Sequence, residues 1–156
     1  MRFALAALAA LTSCSLAFAH SFQAGPLKID HPWSRATNAK AAAGAGFLRI
    51  ANYGKTPDRL VSISSGIAQD AQIHTMTMDG GVMRMRELKG GLTIEPGTEV
   101  KLEPGAEHIM FLGLHGPIKV GEDFKATLVF ERAGPVEVVF KVEAPGANPA
   151  PAPHAH

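Results

Sequence analysis

His74-Thr75-Met76-Thr77-Met78-Asp79-Gly80-Gly81-Val82-Met83-Arg84-Met85 is the stretch from which the fold is read. Two alternating runs flank a turn signal. Asp-Gly between such runs is a strong short-range indication of a tight hairpin, here at Asp79-Gly80, joining a strand over Ala71 to Met78 to one over Val82 to Leu88. Successive side chains of a strand point to opposite faces. His74, Met76 and Met78 therefore share a face, and so do Met83 and Met85.

Outward from the hairpin the same punctuation recurs. Short apolar-polar runs occupy Leu27 to Trp33, Ala45 to Asn52, Arg59 to Ser65, Leu92 to Glu95, Glu99 to Glu103, His108 to Leu114, Asp123 to Glu131 and Val136 to Glu143. Between them lie Asn52 to Asp58, the Pro-Gly pairs at 96–97 and 104–105, and Ala133-Gly134-Pro135. Many short strands, close turns and no convincing helix predict an all-β, antiparallel β-sandwich. Pro32 cannot donate to a ladder, which predicts an edge strand or the end of one for Leu27 to Trp33. Trp33, the single tryptophan, reads as a core anchor. Ala36 to Ala43 is alanine-rich, but Gly44 and Gly46 follow at once and make it a loop. From Ala144 to His156 four prolines and five alanines leave nothing to pack, so 144–156 reads as a disordered Pro/Ala/His tail.

The chemistry concentrates where the hairpin is. All five methionines outside the initiator lie between 74 and 110, with His74 and His108 in the same window. His108 and Met110 share a face of their strand. Thioether and imidazole without thiolate or an acidic cluster form a soft, neutral ligand set. Thioethers select Cu(I), whereas zinc prefers thiolate, imidazole or carboxylate.

His74, the ten residues to Met85, the Gly81-Val-Met-Arg-Met-Arg86 run and His108-x-Met110 together resemble the PCuAC periplasmic copper chaperones. In that family a His, ten residues, a Met and about twenty-one residues precede His-x-Met; here the last interval, 86 to 107, holds 22. The Lys89-Gly90-Gly91 turn is where an additional residue would cost least; inside a strand it would reverse the pairing. Lys28-Ile-Asp-His-Pro-Trp-Ser-Arg-Ala-Thr37 and Lys101-Leu-Glu-Pro-Gly105 extend the resemblance over nearly all of the chain after its leader. The resemblance implies a cupredoxin-like Greek-key sandwich. It also implies Cu(I) ligands His74, Met85, His108 and Met110, and delivery to the copper A subunit of cytochrome c oxidase, alongside a thioredoxin-like copper assembly protein.

Other donors are secondary. Met83 rivals Met85, and the ten-residue spacing favours Met85. Met76 and Met78 read as neighbours that hold copper transiently or as packing. His31, before Pro32, reads as structural and His115 as a surface residue.

Arg2, the apolar run Phe3 to Leu11 and Ala17-Phe18-Ala19 form a secretory leader over 1–19, placing the domain at 20–143 in the periplasm. Leu11-Thr-Ser-Cys14 offers a competing lipobox that would lipidate Cys14. Cleavage after Ala19 makes His20 the first residue, where amine and imidazole can chelate Cu(II). With His154 and His156 in the tail, it suggests a second Cu(II) near the termini. No other cysteine exists, so an exported chain of 137 residues relies on its core rather than on disulfides.

Loss of Arg2 leaves 14 basic against 14 acidic residues, which argues against nucleic acid or anionic lipid as a main partner. No membrane span is expected, and the chain should act as a monomer. There is no Gly-x-Ser-x-Gly elbow, no mature Cys nucleophile and no thiolate for a blue-copper centre. A copper chaperone, not an enzyme, is the leading reading. The alternatives are a copper storage or resistance protein, a copper enzyme built on His20, and a plain sandwich module.

Overall fold

The computed structural model describes residues 21–149; Cys14, the leader, His20, His154 and His156 lie outside them. Among the described residues eleven strands follow in order: β1 (Ser21–Ala24), β2 (Leu27–Arg35), β3 (Ala43–Asn52), β4 (Asp58–Ser64), β5 (Ala68–Asp79), β6 (Val82–Glu87), β7 (Leu92–Ile94), β8 (Glu99–Leu102), β9 (His108–Leu114), β10 (Phe124–Phe130) and β11 (Gly134–Glu143). The ladder runs β6-β5-β9-β3-β2-β11-β10-β4-β7, with β1 on β2 and β8 on β3. Strand β11 joins two sheets: residues 134–140 pair with β10, and Lys141 to Glu143 pair with β2. The fold is all-β, as the turn spacing predicts. β11 and β2 are parallel, so the architecture is mixed though mostly antiparallel. Strand β1 was not among the expected elements.

Two expectations need correction. Strand β2 is interior, not an edge, flanked by β3 on one side and by β1 and β11 on the other. Its ladder with β3 is interrupted between Asp30 and Trp33, where His31 adopts φ 51°. The bulge gives Pro32 a position without a ladder bond, and it also shifts the alternation by one residue. Leu27 and Ile29 face the core, whereas Trp33 lies opposite Phe47 on the outer face. Trp33 is buried, but it does not join the main hydrophobic cluster. The second correction is the hairpin turn. Asp79 pairs with Val82, so the loop is Gly80-Gly81, both with positive φ. Moving the loop by one position slides the pairing by two residues, which leaves every side chain on its predicted face.

The core lies between the layers. Leu27, Ile29, Leu48, Ile50, Ile109 and Phe111 meet Leu60, Ile63, Phe124, Leu128, Val138 and Phe140. Phe111 stands edge-on to Phe124 and Phe140, with centroids 5.3 and 5.6 Å away, while Phe124 and Phe140 stack at 5.3 Å. Such pairs contribute about 0.5–1.5 kcal/mol each beyond their buried area. They sit directly behind β9, whose outward residues are His108 and Met110.

Gly46 is what lets this cluster close. A methyl at that position would come within 2.8 Å of Phe111 and 2.9 Å of Phe140. Gly46→Ala is therefore expected to destabilise the domain by about 1–3 kcal/mol, the usual range for forcing a group into a packed interior. Urea denaturation measures it; a midpoint equal to wild type would show that the rings have room to move.

Candidate metal centre

Strand β9 carries Ile109 and Phe111 inward, fully buried, and this fixes His108 and Met110 outward. The neighbouring registers bring the other candidates to the same face. His74 lies directly opposite His108, and Gln72 opposite Met110. Across the hairpin, Met85 pairs with Met76, one step along from His74, while Met83 pairs with Met78 at the far end. His74, Met85, His108 and Met110 thus share one face over three adjacent strands. Met83 belongs to that face but stands further from His74 and His108. The interval from 86 to 107 holds two strands and their loops without reversing the faces of Met85 and His108.

The imidazoles are set for donation. His108 Nδ1 lies 2.8 Å from the Ala106 carbonyl oxygen, which can only accept, so Nδ1 carries the hydrogen. In the neutral ring the lone pair is then on Nε2, and Nε2 is 3.0 Å from Met85 Sδ. Two electron-pair donors converge there. His74 follows the same logic through the opposite nitrogen. Gln72 Nε2 donates to Asp70 at 3.0 Å, which turns the Gln72 carbonyl oxygen toward His74 Nε2 at 2.9 Å. His74 Nε2 donates to it, leaving Nδ1 as a buried lone pair without a hydrogen-bond partner. Tethering one ring nitrogen to an acceptor while freeing the other is how metal-binding histidines are oriented.

The surroundings disfavour charge on the His74 ring. The His74 and His108 centroids are 5.9 Å apart. Burial first, and the His108 imidazole second, push His74 below its ordinary value of 6.5, with Glu87 opposing. Phe47 continues the row on β3, 6.5 Å from His108 and 4.5 Å from Trp33. Arg35 lies over both Trp33 and Phe47, and its Nε donates to the Ala147 carbonyl at 2.9 Å. The histidine site is therefore walled on one side by aromatic carbon and open toward the hairpin, where Met85 is half exposed.

Among the described residues no group of three or more His, Cys, Asp or Glu could hold a metal; on this face the His and Met donors stand with the carboxylate of Glu87, opposite His74. His115 is exposed and bonds the Gly66 carbonyl, away from the site. Sequence reading missed Asp70 and Gln72. Their signal was the i, i+2 spacing Asp70-x-Gln72-x-His74, which lines three polar groups along one strand face.

His74 offers a direct test. Because its pKa is lowered, the folded state binds less proton than the unfolded one. The stability tied to this ring is complete above the ordinary value and declines as pH falls below it. An NMR titration of the metal-free protein should give His74 a midpoint below about 6.5, with Nδ1 as the unprotonated nitrogen. In Gln72→Leu the ring should lose that single tautomer. A midpoint at or above the ordinary value would contradict the environment described.

The apo PCuAC domain of PmoF2 superposes with a TM-score of 0.70 at 29% identity, covering 84% of this chain and 100% of that one. The copper-bound PCuAC domain of PmoF2 gives 0.69 at 28%, covering 81% and 99%. The Cu(I) form of DR1885 from Deinococcus radiodurans gives 0.60 at 26%, covering 81% and 83%. A protein of Leifsonia xyli subsp. xyli (strain CTCB07), Lxx21020, which carries a lipoprotein name, is 31% identical over 92% of this chain and 89% of its own. The family model LpqE-like, described as a lipoprotein family, matches residues 27–142. The fold is PCuAC-like, and the chain belongs to the LpqE-like family.

Proposed function

We propose that the chain is an exported copper chaperone that carries Cu(I) as cargo on His74, Met85, His108 and Met110. The observation that carries the reading is the convergence of His108 Nε2 and Met85 Sδ at 3.0 Å, beside a second imidazole with a free buried nitrogen. Solved relatives of the same fold include a copper-bound domain and a Cu(I) protein, and the lipoprotein names of the family and its relative support export. Among the described residues no helix is long and apolar enough to cross a membrane.

The mechanism follows from neutral donors. Two imidazoles and two thioethers add no charge, so the bound site keeps the single positive charge of Cu(I). No thiolate holds the ion, neither thioether carries a proton to lose, and His74 is already biased toward its neutral form. A thiolate-bearing acceptor can take the ion by exchanging ligands one at a time, starting from half-exposed Met85. The copper A subunit of cytochrome c oxidase is the client we infer, with a thioredoxin-like assembly protein as a second partner.

Anaerobic competition against a chromogenic Cu(I) chelator should show one tight equivalent, with zinc unable to displace it. Met85→Leu should lower that affinity by about tenfold or more, as loss of groups around a metal does, whereas Met83→Leu should leave it close to wild type. Both exchanges conserve volume and cost under about 1.5 kcal/mol of stability. Equal affinity for zinc, or a larger effect at Met83, would overturn the ligand set.

Delivery is tested separately. The Cu(I)-loaded protein mixed with apo copper A domain should generate the copper A chromophore faster than free chelated copper does. Tight binding without transfer would instead identify a storage or resistance protein.

A further inference from the structure

Strand β5 is paired with β9 only as far as His74. From Thr75 to Asp79 its pairing is with β6, whose six residues are all exposed. The hairpin therefore projects as a two-stranded ribbon with two different faces. One bears Thr75, Thr77, Arg84 and Arg86, ordinary residues for an exposed strand. There Asp79 lies 3.5 Å from both Arg84 and Arg86, which holds the cationic groups on that side. The other face bears Met76 opposite Met85 and Met78 opposite Met83. Met78, Met83 and Met85 are among the most exposed large hydrophobic side chains of the described residues, at 66, 53 and 50%.

Packing does not account for Met78 and Met83, since so much of each faces solvent. Chemistry does. Directly opposed residues hold their Cβ atoms about 4.5–5.5 Å apart, and the flexible Met side chain lets both sulfurs close on one ion. The pair offers two neutral soft donors, with no proton to displace and no cation on the same face. We propose that Met78 and Met83 form a second, weaker binding position for Cu(I) at the ribbon tip. From there the ion steps by thioether exchange past Met76 to Met85. Each step along the strand is about 6.6–6.8 Å, two residues of rise. In each exchange a copper–sulfur bond forms as another breaks; copper stays Cu(I) and no electron or proton moves. The position is weaker because it lacks imidazole. The proposal rests on reading the ribbon base as a Cu(I) site.

The test is an anaerobic Cu(I) titration of protein carrying 13C-methyl methionine. The first equivalent should shift the Met85 and Met110 methyls, and the second those of Met78 and Met83. In the Met78→Leu/Met83→Leu double variant the second response should vanish and the first remain. Loss of the second response in the variant also excludes ions bound adventitiously elsewhere. Met78 and Met83 methyls that stay fixed through two equivalents would overturn the proposal, as would a second equivalent bound equally by the variant. If instead Cu(I) moves Met78 and Met83 but never Met85 or Met110, the ribbon position stands and the four-residue reading of the base fails.

Discussion

The site depends on how β9 is pinned. Ile109 and Phe111 are fully buried, and Phe111 is held edge-on by Phe124 and Phe140. Burying such side chains stabilises the fold by about 1.5–3 kcal/mol each. A strand held so firmly by its inward residues has no freedom over its outward ones. His108 and Met110 project from a surface that cannot slip, because a shift of one residue would expose two core side chains. The cores of β5 and β3 act alike: Ile73 faces inward beneath His74, and Gly46 leaves space for the Phe rings that anchor β9.

On that rigid floor the polar groups are arranged by acceptors. A backbone carbonyl at Ala106 and the Asp70–Gln72 relay decide which nitrogen of each ring is free. The aromatic row Trp33–Phe47–His108 restricts ring movement from the other side. Its existence depends on the His31–Pro32 bulge. Without the extra residue, Trp33 would point into the sandwich, where Phe111 and Phe140 already occupy the space in front of Gly46.

Much of this is legible in the chain itself. His108 to Leu114 is both the predicted and the observed strand, because a Pro-Gly turn precedes it and its apolar residues alternate cleanly. The faces of Met76, Met83 and Met85 follow from period two and survive the misplaced turn, since Gly80-Gly81 and Asp79-Gly80 differ by an even slip in pairing. Where reading fails, the cause is non-local. The parallel partnership of β2 with β11 joins residues over a hundred positions apart, and no local pattern encodes it. Ser21 to Ala24 is too short to show a period. The missing donor of Pro32 points to a sheet edge, yet a bulge satisfies the same constraint inside a sheet. Gln72 is unremarkable as a residue type; only the carboxylate beside it gives its amide a direction.

The site straddles two parts of the fold that do not share one stability. His74 and His108 sit on strands paired on both sides and backed by the aromatic core. Met85 sits on an edge strand of a ribbon whose outer pairs hold only each other. Local opening draws on such weakly supported segments and leaves the global fold intact. Amide exchange should therefore be fast in 76–86 and slow in 108–112. The half of the face that meets solvent can loosen while the histidine half stays assembled; under the function proposed above, release of the ion is then a matter of hairpin fraying rather than of unfolding.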